Sequence, residues 1–281
     1  HRLHRVIQIQ KLMNDQIGIM ETMTPQQFLS FRDYLVPASG FQSIQFKQLE
    51  ISLGLKREYR IDFDKQSFYN RLSDDDRSLL EALEEKPSLF ELVDKWLARM
   101  PLLKTEDFHF WDYYRKATDE MLNDDKETIE RNAFLSEVER RQELKDWQST
   151  RENFDGLFNH ETYLLNQGKF RLSHEALLSA LFIKQYSEEP VFNLPFQLIT
   201  ALTEIDEQLT LWRYRHAMMV QRMLGTKIGT GGSSGHHYLK KTTESNRIFL
   251  DFFNMATFLL PKSSLPELPE SVKRRLGFYL Q

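Results

Sequence analysis

In "LTLWRYRHAMMVQRMLG", Leu209, Trp212, His216, Met219 and Met223 recur every three or four residues, so on a helix they form one stripe. Two chemistries are open to an imidazole on such a stripe. His216 is either a core histidine bonded to a carbonyl, or the single ligand to a haem iron, which needs one imidazole in an apolar pocket. Arg213, Arg215 and Arg222 lie on nearby faces, where their partners are surface acids or haem propionates. Arg32 is the second residue of interest. In "QQFLSFRDYL" it shares a helical face with Phe28 and Leu35. A guanidinium there needs an anion, because an unpaired buried charge is costly. That anion is an acid of the fold, or a substrate carboxylate gripped by the guanidinium fork.

A third stretch, "GTKIGTGGSSG" (225–235), holds five of the chain's eleven glycines. No Lys-Ser or Lys-Thr pair follows at P-loop spacing, and no strand precedes it, so it is neither a Walker nor a Rossmann motif. It reads as a connector between helices, or as backbone wrapped closely over a ligand, with Thr230, Ser233 and Ser234 supplying hydroxyls. The other histidines show no pattern: His109, His160 and His174 are scattered, and His236 and His237 are adjacent. Carboxylates are abundant, but none pairs with another in an interpretable way.

The elements that must position these residues are helices. Apolar positions in 1–22 fall at Leu3, Ile7, Leu12 and Ile17. "TPQQ" is a helix start, with Thr24 as N-cap, Pro25 at the first helical position and Gln27 closing a capping box. Further helices are expected after Phe41, over 87–100, from Ser173 to 186, and from about Leu194 to Leu224, where Gly225 stops the last. Residues 108–149 read as long solvated helices. Residues 246–260, apolar almost all round, should be buried, and the proline-bearing tail "LPELPESV" should be irregular. Strand-like alternation is scarce. The fold class is all-α: one helical domain over 1–281, interrupted by a charged helical insertion over 104–189.

Composition narrows the functions. The formal net charge of −4 leaves no footprint for nucleic acid, and no basic cluster suits a lipid surface. The chain has no cysteine, which excludes disulfides, thiolate metal sites and cysteine nucleophiles. No run is long enough to span a membrane. No signal-peptide layout is present, so a cytoplasmic location is expected. The chain opens inside an amphipathic pattern without a methionine, and further chain is expected upstream.

Three stretches, "FRDYLVPASGFQS" (31–43), "LWRYRHAMMVQRMLG" (211–225) and "GTGGSSG" (229–235), resemble the haem-dependent tryptophan 2,3-dioxygenase family in wording, order and separation. "RLSHEALLSAL", "PFQLITALTEID" and "FLDFFNMATFLLP" extend the resemblance over nearly the whole chain, and the charged insertion resembles the longer, animal-type members. The resemblance implies a helical-bundle haem dioxygenase fold with haem b as cofactor. It implies insertion of both atoms of O2 across the indole C2–C3 bond of L-tryptophan, giving N-formylkynurenine in the kynurenine pathway. By the same resemblance His216 is the iron ligand, Arg32 grips the substrate carboxylate and Thr230 meets its amino-acid end. Phe28 lies against the substrate, and Ser39 and Gly40 form the "PASG" turn near haem and substrate. The resemblance also implies a homotetramer whose subunits share N-terminal elements. Nothing here matches the family's "HQ…ELW"-type N-terminal helix, which carries a distal histidine. The rival expectations are a non-catalytic helical module that binds an anionic small ligand, and a related haem enzyme acting on another indole.

Overall fold

Thr24 shows how the sequence starts its helices. Its side chain accepts from the Gln27 backbone N–H at 3.2 Å, and the Gln27 side chain accepts from the Thr24 N–H at 2.9 Å, which closes the expected capping box. Ser73, Ser136 and Ser173 cap three further helices by the same kind of bond. The computed structural model describes residues 1–35, 44–60, 69–100, 109–165, 170–225, 227 and 235–279. Among the described residues the regular elements are α-helices and short 3₁₀ turns, with no strand. None of these helices is long and apolar enough to cross a membrane. The chain forms two compact units, one of residues 1–93 and 198–250, the other of 94–197 and 251–281.

The helices in chain order are α1 (Arg2–Met20), α2 (Pro25–Phe31), α3 (Ile44–Leu53), α4 (Asp74–Glu84) and α5 (Leu89–Ala98). Then come α6 (Phe110–Arg131), α7 (Glu137–Phe158), α8 (His160–Leu165), α9 (His174–Gln185) and α10 (Asn193–Leu224). The last three are α11 (Gly235–Ser245), α12 (Leu250–Asn254) and α13 (Glu270–Tyr279).

In the first unit α1 lies along α10. Ile7 and Ile17 are buried, as their spacing predicts, but Leu12 is 58% exposed. The buried face instead continues through Gln10 and Asn14. Gln10 donates to the Ile205 carbonyl at 3.1 Å, and Asn14 donates to the Gln208 side chain at 3.0 Å. These bonds make two polar residues suitable for burial. On the other side of the unit, α3 packs on α4 through Ile51, Tyr69 and Leu80. Helix α3 ends at Gly54, whose φ of +132° is open to glycine and strained for any other residue. An added Cβ there would stand 2.5 Å from Phe90 Cβ.

In the second unit α6 and α7 form an antiparallel hairpin. Trp147 Nε1 donates to the Leu122 carbonyl at 2.8 Å, and Arg140 Nη1 donates to the Ile129 carbonyl at 2.9 Å. The hairpin is charged, as expected, but not solvated all round. Aromatic and leucine side chains make an inner face: Phe110, Tyr114, Leu122, Phe154 and Leu157 are buried. Helix α9 is buried almost throughout its second and third turns. Residues 246–260, of which 246–250 belong to the first unit, are rich in buried side chains, as expected, yet form only the short α12 and a 3₁₀ turn, Met255–Phe258. The tail is irregular only to Pro269, after which α13 begins.

Candidate functional site

Helix α10 carries His216 on its apolar stripe as the spacing predicts. Leu209 and Met223 are buried, and Trp212, His216 and Met219 are half-buried between them. The Trp212 ring stacks on the imidazole at 5.2 Å and 23°. Phe46 of α3 lies 5.0 Å from Trp212. These aromatic contacts restrict how far the His216 ring can turn.

Next to Trp212, Arg213 points into the unit. Its Nη2 donates to Glu50 Oε1 at 2.7 Å and its Nη1 to the Asn246 carbonyl at 2.8 Å. Lys47 Nζ is 3.1 Å from the other Glu50 oxygen. Burial raises the Glu50 pKa, but the Lys47 and Arg213 charges outweigh it and hold the carboxyl below its ordinary range. Glu50 therefore stays ionised and fixes α3 against the turn that carries His216. Removing one partner of such a buried pair costs about 3–5 kcal/mol, because the other charge is left uncompensated. Asp206 does similar work about two turns of α10 before Arg213. It accepts the N–H groups of Ile248 and Phe249 at 3.0 and 3.3 Å and so ties the chain after α11 back to α10. Arg215 donates to the Asn14 carbonyl at 2.6 Å and to Glu21 at 2.9 Å. It thereby anchors the end of α1, three residues before the cap of α2. Surface acids or haem propionates are the partners expected for these arginines; Arg215 takes the partly exposed Glu21, and Arg213 takes a buried acid, Glu50.

His216 itself is chemically uncommitted. Its Nδ1 is buried and has no hydrogen-bond partner among the described residues. Burial pushes its pKa below the ordinary 6.5, so the ring is neutral at pH 7. A core histidine would spend that nitrogen on a carbonyl. A neutral imidazole stacked on one aromatic ring, its Nδ1 not held by a carbonyl, fits a haem-iron ligand.

Phe28 and Arg32 belong to the same compact unit as His216. Helix α2 ends at Phe31, and Arg32 opens the 3₁₀ turn Arg32–Leu35, so the shared face is shorter than the sequence suggests. Both side chains are half-buried, and the Phe28 ring meets Phe31 edge-on at 5.5 Å. Gly225 stops α10 as expected, with φ +58°. Ser39, Gly40 and Thr230, together with Ser233 and Ser234, lie outside the described residues.

Glu50 and Asp206 escaped the sequence reading. Asp206 had one visible signal, its place between the apolar positions Leu202, Ile205 and Leu209 in "LITALTEIDEQLTL". Glu50 shows in the sequence only its i,i+3 spacing to Lys47, because Arg213, its other partner, is more than a hundred residues away in the chain.

Comparison with known proteins adds to this geometry. The family model described as tryptophan 2,3-dioxygenase matches residues 1–259. A tryptophan 2,3-dioxygenase of Alteromonas mediterranea is 83% identical, covering 100% of this chain and 78% of its own length. One of Dictyostelium discoideum is 46% identical, over 99% of this chain and 70% of its own. Tryptophan 2,3-dioxygenase B of Danio rerio is 43% identical, over 97% and 67%.

Proposed function

The chain belongs to the tryptophan 2,3-dioxygenase family, and from that premise we propose how its residues serve the reaction. The enzyme is an oxidoreductase that dioxygenates tryptophan, with L-tryptophan and O2 as substrates. Both oxygen atoms enter across the indole C2–C3 bond, and the product is N-formylkynurenine, the first intermediate of tryptophan catabolism by the kynurenine pathway. The observation that carries the reading is His216: a neutral imidazole stacked on Trp212, whose Nδ1 is not tied to a carbonyl among the described residues, with Nε2 as the nitrogen we assign to the iron.

His216 would hold haem b, with Ser39 and Gly40 of the "PASG" turn beside haem and substrate. Haem, when bound, supplies the iron that activates dioxygen. The protein supplies position. Arg32 takes the substrate carboxylate in its guanidinium fork. Phe28 covers the apolar side of the substrate, and Thr230 meets its amino-acid end. The glycine-rich loop that carries Thr230 closes backbone over the substrate and excludes water from the site. The Arg213–Glu50 and Arg215–Glu21 pairs keep Trp212 and His216 oriented while this happens. We place all of this in one helical haem-dioxygenase domain, 1–281, with residues 104–189 as a helical insertion. The enzyme works in the cytoplasm as a homotetramer whose subunits share N-terminal elements.

His216→Ala tests the assignment. The variant should keep its helical circular dichroism and lose stable haem, read as loss of the Soret band and of haem stoichiometry. A variant with wild-type Soret absorbance and one haem per chain would overturn it.

A further inference from the structure

His160 and His174 look unrelated in the sequence, but the fold brings them together. The Nδ1 atoms of the two rings lie 3.2 Å apart, and a Glu175 carboxylate oxygen lies within 4.8 Å of both. We propose that His160, His174 and Glu175 form a transition-metal site of the zinc type, separate from the haem ligand and not used in the dioxygenase reaction.

The donor set suits such a metal. Two imidazoles and one carboxylate are a recurrent three-ligand set for Zn²⁺, with a fourth position left to water. Zinc–nitrogen bonds of about 2.0–2.1 Å in tetrahedral geometry place two ligand nitrogens about 3.3–3.4 Å apart. The observed 3.2 Å is close to that. Glu175 is exposed, so its carboxylate can approach by turning its own side chain.

The surroundings are prepared for a ligand. His174 Nε2 is 2.7 Å from the Leu157 carbonyl, which can only accept, so Nε2 carries the proton and Nδ1 presents its lone pair to His160. Metal-bound histidines typically spend their second nitrogen in this way. The Tyr163 ring lies 4.9 Å from the His174 ring, and its hydroxyl is held by the Leu172 carbonyl at 2.7 Å. The approach to His174 is also fixed. Asp251 accepts the Arg171 and Leu172 N–H groups at 2.7 Å, and Asp94 accepts that of Ser173 at 2.6 Å. Asp251, Asp94 and Glu175 together place negative charge around Tyr163 and favour a cation beside it. His160 is exposed, which gives an entry path. All the named residues belong to the second unit. A bound ion would cross-link the first turn of α8 to the first turn of α9.

The test uses the full-length, haem-loaded protein and Zn²⁺ alone. Equilibrium dialysis followed by elemental analysis should find one Zn²⁺ per chain beyond the amount retained by His160→Ala. Glu175→Gln, which keeps the side chain's size, should bind Zn²⁺ about tenfold more weakly. Zn²⁺ should raise the Tm of the wild type and leave that of His160→Ala unchanged, with haem iron content equal in all three proteins. If the wild type retains no more zinc than His160→Ala, or if Glu175→Gln and His160→Ala both keep wild-type affinity, the two rings share a plain hydrogen bond and the proposal fails.

Discussion

An imidazole that binds a metal must be neutral and must keep a ring nitrogen uncommitted. Burial gives His216 the first property, and it has a pH consequence. The unfolded chain takes up a proton at this histidine as pH falls below the ordinary 6.5, while the folded ring, with its pKa depressed, resists. Above 6.5 both states are neutral and the group contributes no slope. Below it the unfolded state binds more protons, so stability declines as pH falls, by at most about 1.4 kcal/mol per pH unit, until the folded pKa is passed. Haem-free protein should show this decline between pH 6.5 and 5 in urea titrations, and His216→Leu should make it shallower. Identical slopes would show that the ring titrates alike in both states. Arg32 makes its case through the substrate. Arg32→Ala should raise KM for tryptophan by a factor matching about 2–5 kcal/mol, the cost of truncating one partner of a hydrogen-bonded charge pair. Tryptamine, which lacks the carboxylate, should lose little. Equal losses for both compounds would make Arg32 a structural residue.

At the scale of elements, the sequence announces helices more clearly than it announces their buried faces. Thr24, Ser173 and Gly225 mark starts and stops within a residue or so, because capping is local chemistry between neighbours. The apolar spacing of α1 points to Leu12, whereas the buried face runs through Gln10 and Asn14, because the partners of those two amides are on α10, almost two hundred residues later. His216 was legible because its apolar neighbours lie on its own helix. The His160–His174 pair was not, since their meeting depends on how α8 and α9 are placed. The two left-handed glycines differ in the same local-against-tertiary sense. At Gly225 a Cβ would meet nothing within 4 Å, so Gly225→Ala costs only the backbone conformation, about 1–2 kcal/mol. At Gly54 a Cβ would also collide with the root of the Phe90 side chain, which is itself packed 6.0 Å from the Phe249 ring. Strain and overpacking add there, and Gly54→Ala should cost about 2–5 kcal/mol. Chemical denaturation of the two variants should rank Gly54→Ala well below Gly225→Ala. The reverse order would mean that Phe90 can move freely.

At the scale of the whole molecule, the residues proposed for the reaction fall in one compact unit and the charged hairpin in the other. His216, Phe28 and Arg32 belong to the unit of residues 1–93 and 198–250, whereas α6 and α7 belong to that of 94–197 and 251–281. A ligand that binds only the folded state stabilises it by about 4 kcal/mol at a thousandfold excess over its Kd, and that free energy appears first in the openings that break its site. Haem held by His216 should therefore slow amide exchange in α10 from Leu209 to Met223. Its partner α3, linked through Phe46 and Glu50, should be slowed too, as should α1, linked through Asn14 and Glu21. The α6–α7 hairpin is closed by Trp147, Arg140 and Arg151, and it is tied to the rest of its own unit by the Tyr114 hydroxyl, which donates to the Phe258 carbonyl, and by the Leu157 carbonyl, which meets His174. Its amides should exchange alike with and without haem. Hydrogen exchange on matched haem-loaded and haem-free protein measures this directly, peptide by peptide. Equal protection of α6, α7 and α10 on loading would show that haem stabilises only the global fold, and that the site does not belong to one unit in the energetic sense.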